Sequence, residues 1–161
     1  MPEMPQPGDP APDFEAPDQT GATVRLADFA GRPLALYFYP KDDTPGCTTQ
    51  ACNLRDHTAA LDDTGVAVVG VSPDTVASHE AFAGAHDLPF PLLADPGRTI
   101  LNAYGVWGER SLYGKKVVGV KRTSFLIDGD GVVRHVFKRP KTAEHTQEVL
   151  MKANALRVTG A

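Results

Sequence analysis

The stretch Leu34-Ala35-Leu36-Tyr37-Phe38-Tyr39-Pro40-Lys41-Asp42-Asp43-Thr44-Pro45-Gly46-Cys47 opens with six apolar residues in a row and closes at a cysteine. A continuous apolar run stopped by a proline suits a central strand buried on both faces. Beyond it, Thr44 stands at a favourable N-cap position and Pro45 falls at the first helical position, where a missing N–H costs nothing. A helical pattern then runs over residues 45–64. A buried strand feeding a helix is the repeating unit of α/β sheets, and sites in such sheets gather at the carboxyl ends of the strands.

Outward from this segment, residues 1–21 are rich in Pro, Gly and Asp and read as a surface lead-in rather than a regular element. A short strand is expected around Val24 to Leu26. On the other side, Val66 to Val71 reads as a second buried strand stopped by Ser72-Pro73, followed by a helix over about 75–87. Pro89 to Ala94 gives a short strand, and a short helix over about 98–104 follows. Gly105 to Gly119 holds four glycines and mixed charge, and reads as a loop with weak structure. Ser124 to Ile127 and Val132 to Phe137 flank Asp128-Gly129-Asp130-Gly131, a hairpin signal. A last helix is expected over about 142–156. Strand–helix alternation first and a hairpin last imply one α/β domain over 1–161, a mixed central sheet with helices on both faces. Residues 1–10 would be lead-in and 157–161 a tail.

The chain is long enough for one sizeable core. Its net charge of −4, without a basic tract, argues against nucleic acid or an anionic membrane as partner. No apolar run approaches the roughly 18 residues of a membrane span. The start, Met1-Pro2-Glu3-Met4-Pro5, lacks the basic region and apolar run of a signal peptide, so a cytoplasmic location is expected. In a reducing compartment the two cysteines, Cys47 and Cys52, point to metal or redox chemistry rather than to a permanent disulfide. With His57 they make Cys-x4-Cys-x4-His, which matches no usual zinc pattern. Redox chemistry is the leading option.

Cys47 falls in the first helical turn, where free N–H groups and the positive end of the helix dipole favour a thiolate, the nucleophilic form. Cys47, Ala51, Leu54, Thr58 and Leu61 share one face, which should pack inward. Cys52 lies about 140° around the helix, beside Arg55, Asp56 and Ala59. The two Cα atoms would be roughly 8–9 Å apart in an intact helix, beyond the roughly 7 Å limit for a disulfide. If the pair bonds, the first turns of the helix must unwind.

The segment resembles the peroxiredoxins, whose signature of a Pro, three residues, a Thr, two residues and a Cys is matched by Pro40, Thr44 and Cys47. The second cysteine, within Cys47-Thr48-Thr49-Gln50-Ala51-Cys52, is similar to the bacterioferritin-comigratory, or Q-type, subgroup. The likeness runs from Gly8-Asp9-Pro10-Ala11-Pro12-Asp13-Phe14 to the final helix and includes Lys121-Arg122-Thr123-Ser124-Phe125-Leu126-Ile127-Asp128. The resemblance implies a thioredoxin-like fold and an attack by Cys47 on the terminal peroxide oxygen. It implies that Thr44 and Arg122 hold the peroxide oxygens and that Pro40 shields the site from water. The resulting Cys47 sulfenic acid would condense with Cys52 into an intramolecular disulfide, reduced by thioredoxin or a similar dithiol. No metal, flavin or haem is implied. Because both thiols lie in one chain, a monomer suffices. Gln50 stands where many other peroxiredoxins have Glu, so no carboxylate role is carried to it.

Other patterns carry less. Gly108 to Gly114-Lys115-Lys116 has the wrong spacing for a phosphate loop and no hydroxyl after the lysine. Asp128 to Gly131 lacks the remaining ligands of a calcium loop. His57, His79, His86, His135 and His145 are scattered and read as surface or packing residues, and Trp107 as a packing anchor. A thioredoxin-type disulfide reductase is the alternative within redox enzymes, although it would want Cys-x-x-Cys. A non-catalytic redox or metal-binding module is the alternative outside them.

Overall fold

The computed structural model describes residues 4–112, 114–138 and 140–159, so the expected lead-in and tail fall partly outside the described residues. In chain order the elements are β1 (Glu15–Pro17), β2 (Thr23–Arg25), a 3-10 turn (Leu26–Phe29), β3 (Leu34–Phe38), α1 (Pro45–Asp56), α2 (Thr58–Thr64) and β4 (Ala67–Ser72). They continue with α3 (Val76–His86), β5 (Leu92–Ala94), α4 (Thr99–Ala103), β6 (Trp107–Leu112), β7 (Lys115–Val120), β8 (Thr123–Ile127), β9 (Val133–Lys138) and α5 (His145–Thr159).

The central sheet has the strand order β5-β4-β3-β8-β9. β3 pairs parallel to β4 and β4 parallel to β5, while β8 pairs antiparallel to both β3 and β9. β3 is therefore central, as its unbroken apolar run requires. Its side chains alternate between two cores: Leu34, Leu36 and Phe38 enter one, and Ala35, Tyr37 and Tyr39 the other. The second core takes α1, α2, α3 and α5; the first takes α4 and packs the β1–β2 pair against the sheet. Helices thus lie on both faces, unevenly. Tyr37 crosses β4 at Gly70, where a Cβ would come within 2.8 Å of the ring, so only glycine leaves it room.

Four expectations are corrected. The lead-in contains β1, paired with β2, and Gly8 N–H donates to Val133 O (2.8 Å), which joins it to the start of β9. The helical stretch 45–64 is two helices, because the chain leaves helical geometry at His57 (φ −114°, ψ 21°), whose Nδ1 takes the Asn53 carbonyl at 2.7 Å. Gly105 to Gly119 is not a loop. β6 and β7 form an antiparallel hairpin pairing Trp107 with Val120 and Glu109 with Val118, closed at Gly114 (φ 77°); Tyr113 within it lies outside the described residues. The hairpin was hidden by its outward face, where charged residues and a largely exposed Val118 blur the apolar alternation. The last helix begins at His145 and runs to Thr159, over three residues of the expected tail, with Lys141 N–H bonded to Glu148 Oε1 (3.0 Å) ahead of it.

The topology fixes one neighbourhood. Because β8 runs antiparallel beside β3 with Phe38 opposite Thr123, the residue before β8, Arg122, comes to the carboxyl end of β3, where the Pro40–Cys47 segment begins.

Candidate active site

Thr44 has extended backbone (φ −87°, ψ 153°) and its carbonyl accepts the Thr48 N–H at 2.8 Å, so it is the residue from which α1 starts, with Pro45 next. Its hydroxyl does not cap the helix, contrary to expectation. It turns back and donates to Lys41 O at 3.0 Å, closing the loop on itself. The N–H groups of the first turn are therefore not consumed by that side chain.

Cys47 is buried at 1% exposure in that first turn. Arg122 Nη2 donates to its Sγ at 3.1 Å, and Arg122 Nη1 donates to Gln50 Oε1 at 2.6 Å. The guanidinium fork is thus fixed by one bond to the sulfur and one to a fully buried amide. Gly46 makes the approach possible, since a Cβ there would stand 3.2 Å from Arg122 Nη2. Of the expected site residues, the fold brings Arg122, Thr44 and Cys47 together at one sheet edge, with Pro40 half-buried two residues after β3. Gln50 was noted only as lacking a carboxylate and was given no role. Its signal was readable: it lies three residues from Cys47 and four from Leu54, a polar side chain on the apolar face of α1.

Tyr37 and Tyr39 lie under the site as neutral hydroxyls. Burial, with the sulfur of Cys47 and the carboxylate of Asp42 nearby, holds the Tyr37 phenol well above its ordinary range. Burial, with Tyr37 and Asp42 beside it, does the same for Tyr39.

The loop ahead of α1 is held from below. Asp42 accepts from Tyr39 Oη (2.6 Å) and Ser78 Oγ (2.8 Å) and meets His79 Nδ1 at 2.7 Å, while His79 Nε2 meets Leu93 O at 2.9 Å. Asp42 N–H donates to Asp74 Oδ2 (2.8 Å), which also accepts from Ser72 Oγ (2.6 Å). Burial pushes the Asp42 carboxyl up, but the bonds from His79, Tyr39 and Ser78 outweigh it and hold the group below the usual carboxylate range. His79 is wholly buried and belongs to this clamp, so it is no surface residue. Ligand atoms of Asp42, Asp74 and His79 lie within 4.8 Å of one another, a grouping that could hold a cation. In the structure those atoms already have protein partners, and the cluster works as a clamp.

Cys52 is half-buried, and both cysteines are free thiols. Its Sγ lies 3.9 Å from His86 Nδ1 at the end of α3. Neither sulfur reaches the other from the intact α1, as the helical geometry requires. Trp107 packs on the first core under the guanidinium of Arg98, which sits 4.7 Å above the ring.

Set beside known proteins, the chain matches the model of the AhpC/TSA family over residues 7–136. It is 48% identical to peroxiredoxin Bcp of Escherichia coli (strain K12) over 143 residues, 89% of this chain and 92% of that protein. Among solved structures, peroxidoxin BcpB from Mycobacterium tuberculosis has a TM-score of 0.85 at 37% identity, covering 95% of this chain and 99% of that one. The bacterioferritin comigratory protein of Xanthomonas campestris, described for alkyl peroxide reduction activity, has a TM-score of 0.82 at 34% identity, with 88% and 90% covered.

Proposed function

The chain belongs to the AhpC/TSA family, and from that premise we propose a thiol-dependent peroxidase in which Cys47 is the peroxidatic and Cys52 the resolving cysteine. The observation that carries the assignment of Cys47 is the Arg122 N–H directed at its sulfur within the first turn of a helix. A cation and a helix N-terminus both favour the charged, nucleophilic sulfur.

Cys47 Sγ attacks the terminal oxygen of a hydroperoxide, the O–O bond breaks, and the alkoxide or hydroxide leaves with a proton as alcohol or water. Arg122, fixed by Gln50, meets the peroxide oxygens as charge moves along them, and the Thr44 hydroxyl joins it once its proton turns from Lys41 O to the substrate. Pro40, half-buried beyond the end of β3, shields the site from water. The sulfenic acid then condenses with Cys52 after the opening turns of α1 unwind, releasing water and leaving a disulfide. A thioredoxin-type dithiol reduces it by exchange. Hydrogen peroxide and organic hydroperoxides both fit a site that recognises only the O–O group. Since both thiols belong to one chain, the monomer completes the cycle. No helix among the described residues is long and apolar enough to cross a membrane, which accords with the cytoplasmic site of action we infer.

The sequence of α1 suits such unwinding. Gly46, Thr48, Thr49 and Cys52 are weak helix formers, and Thr49 Oγ1 donates back to Pro45 O at 2.9 Å.

The test is peroxide-dependent oxidation of reduced thioredoxin by the purified protein. Cys47→Ser is expected to abolish turnover, and Cys52→Ser to stop at the sulfenic acid after one equivalent. Full activity in Cys47→Ser would overturn the assignment.

A further inference from the structure

Cys52 must lose a proton before it can attack, and its surroundings hold a group placed to take one. His86, the last residue of α3, presents Nδ1 to Cys52 Sγ at 3.9 Å and Nε2 to Asp43 Oδ1 at 3.7 Å. A ring carrying its hydrogen on Nε2 faces the Asp43 carboxylate with that N–H and leaves the Nδ1 lone pair for the thiol. The ring packs edge-to-face on Phe82 (5.2 Å between centroids), and Arg55 Nη1 fixes the His86 main chain by donating to its carbonyl at 2.8 Å. The loop supplying Asp43 is the one clamped through Asp42.

We propose that His86 is the general base that ionises Cys52 for resolution, with Asp43 as its positioning residue. This rests on the peroxidase reading above and assigns the proton of its second step. The proton passes from Cys52 Sγ to His86 Nδ1 as the opening turns of α1 unwind and the sulfur turns toward Cys47. After unwinding, the sulfur attacks the sulfenic sulfur of Cys47, the S–S bond forms and the S–O bond breaks. Hydroxide leaves and takes up, through solvent, the proton that His86 removed from Cys52, becoming water and returning the imidazole to its neutral form. The sulfenic acid carries both oxidising equivalents, so no further oxidant enters. The charges around the ring act in both directions. Asp43, the adjacent Asp87 and the carboxyl end of α3 present negative charge on one side, and the Arg55 guanidinium presents positive charge on the other. Arg55 is itself partly neutralised by Asp56 at 2.8 Å. Because Asp43 is largely exposed, its share should be small.

The experiment is single-turnover oxidation by one equivalent of hydrogen peroxide. Sulfenic acid and disulfide are quantified by trapping and mass spectrometry between pH 5.5 and 9, in wild type, His86→Ala and His86→Gln. Expected are an unchanged rate of sulfenic acid formation and disulfide closure slowed about tenfold at neutral pH. Closure that is nearly flat across neutrality in wild type should rise about tenfold per pH unit in the variants, as specific base takes over. Added imidazole should restore closure in His86→Ala. Closure at the wild-type rate with the wild-type pH profile would overturn the proposal. So would slowed closure with that profile and no rescue, which would mark His86 as structural. Failure of the wild type to form any sulfenic acid would remove the peroxidase reading and this proposal together, a result distinct from the loss of the relay alone.

Discussion

The loop of residues 40–44 and the helix turns of residues 45–52 adjoin in sequence and sit at the same sheet edge, yet they are held in opposite ways. The loop is fixed by a buried charged network in which Asp42 reaches Tyr39, Ser78 and His79. The helix turns bury only small or polar side chains, Cys47, Gln50 and Ala51, before Leu54. Beyond them α1 is tied down again. Asn53 Nδ2 donates to Ala143 O at 2.9 Å and Asn53 Oδ1 accepts from Thr146 N–H at 2.8 Å, so its second half is bound to the start of α5. The weak stretch is bounded on both sides, which lets a local opening free Cys47 and Cys52 without loosening the fold.

The contrast is broken most severely at Arg122, the main polar hold on the weak stretch that is also chemical. Arg122→Gln removes the donor on Cys47 and the bond to Gln50. The rate constant for peroxide reduction is expected to fall about 10²–10³-fold, measured as sulfenic acid formation under pseudo-first-order peroxide. Stability should change far less. A rate within threefold of wild type would deny Arg122 its role.

Breaking the rigid side instead reverses the pattern. Asp42→Ala leaves His79 buried without its carboxylate and should lower unfolding stability by about 3 kcal/mol, the usual cost of orphaning one partner of a buried pair. Urea denaturation followed by far-UV circular dichroism measures this. A smaller loss is expected at the far boundary. Asn53→Ala removes two hydrogen bonds worth about 1 kcal/mol each, and amide exchange should then spread from residues 45–52 into residues 53–56. Exchange that remains confined to the first turns would place the boundary elsewhere.

How much of this was legible follows from how local each feature is. The strand, the helix start and the place of Cys47 in its first turn were readable because an apolar run and a proline act on their own neighbours, whereas the bond made by the Thr44 hydroxyl was not. The helix geometry that separates Cys52 from Cys47 was readable for the same reason. Arg122 could be placed only through the family resemblance, since its approach to Cys47 depends on the antiparallel pairing of β8 with β3. The clamp was not legible. Asp42 and His79 are separated in sequence by two helices and a strand, and their 2.7 Å contact arises from packing α3 against the end of β3. The β6–β7 hairpin was missed because glycine and surface charge obscured a pairing that only the partner strand reveals.

The finest test of the contrast is its dependence on acid. The Asp42 carboxyl is held below its ordinary range in the folded protein by His79, Tyr39 and Ser78 against the opposing effect of burial. The folded state therefore binds this proton less readily than the unfolded chain, so the stabilisation is complete above the ordinary aspartate range and is lost as pH falls through the depressed folded value. Asp128, lowered by the Val132 and Asp130 N–H groups and by Arg134 against a burial effect of opposite sign, adds to the same limb. Unfolding stability should thus be level with respect to this group at neutral pH and should decline below about pH 4. In Asp42→Asn that part of the slope should disappear while the contribution of Asp128 remains, leaving a shallower acid limb on a less stable protein. Amide exchange taken at two acidic pH values should then show the loop of residues 40–44 opening with acid in the wild type, whereas residues 45–52, which carry no carboxylate, exchange with little change of their own opening equilibrium. An acid limb as steep in Asp42→Asn as in the wild type would mean that the loop is held by packing and not by the charge on Asp42.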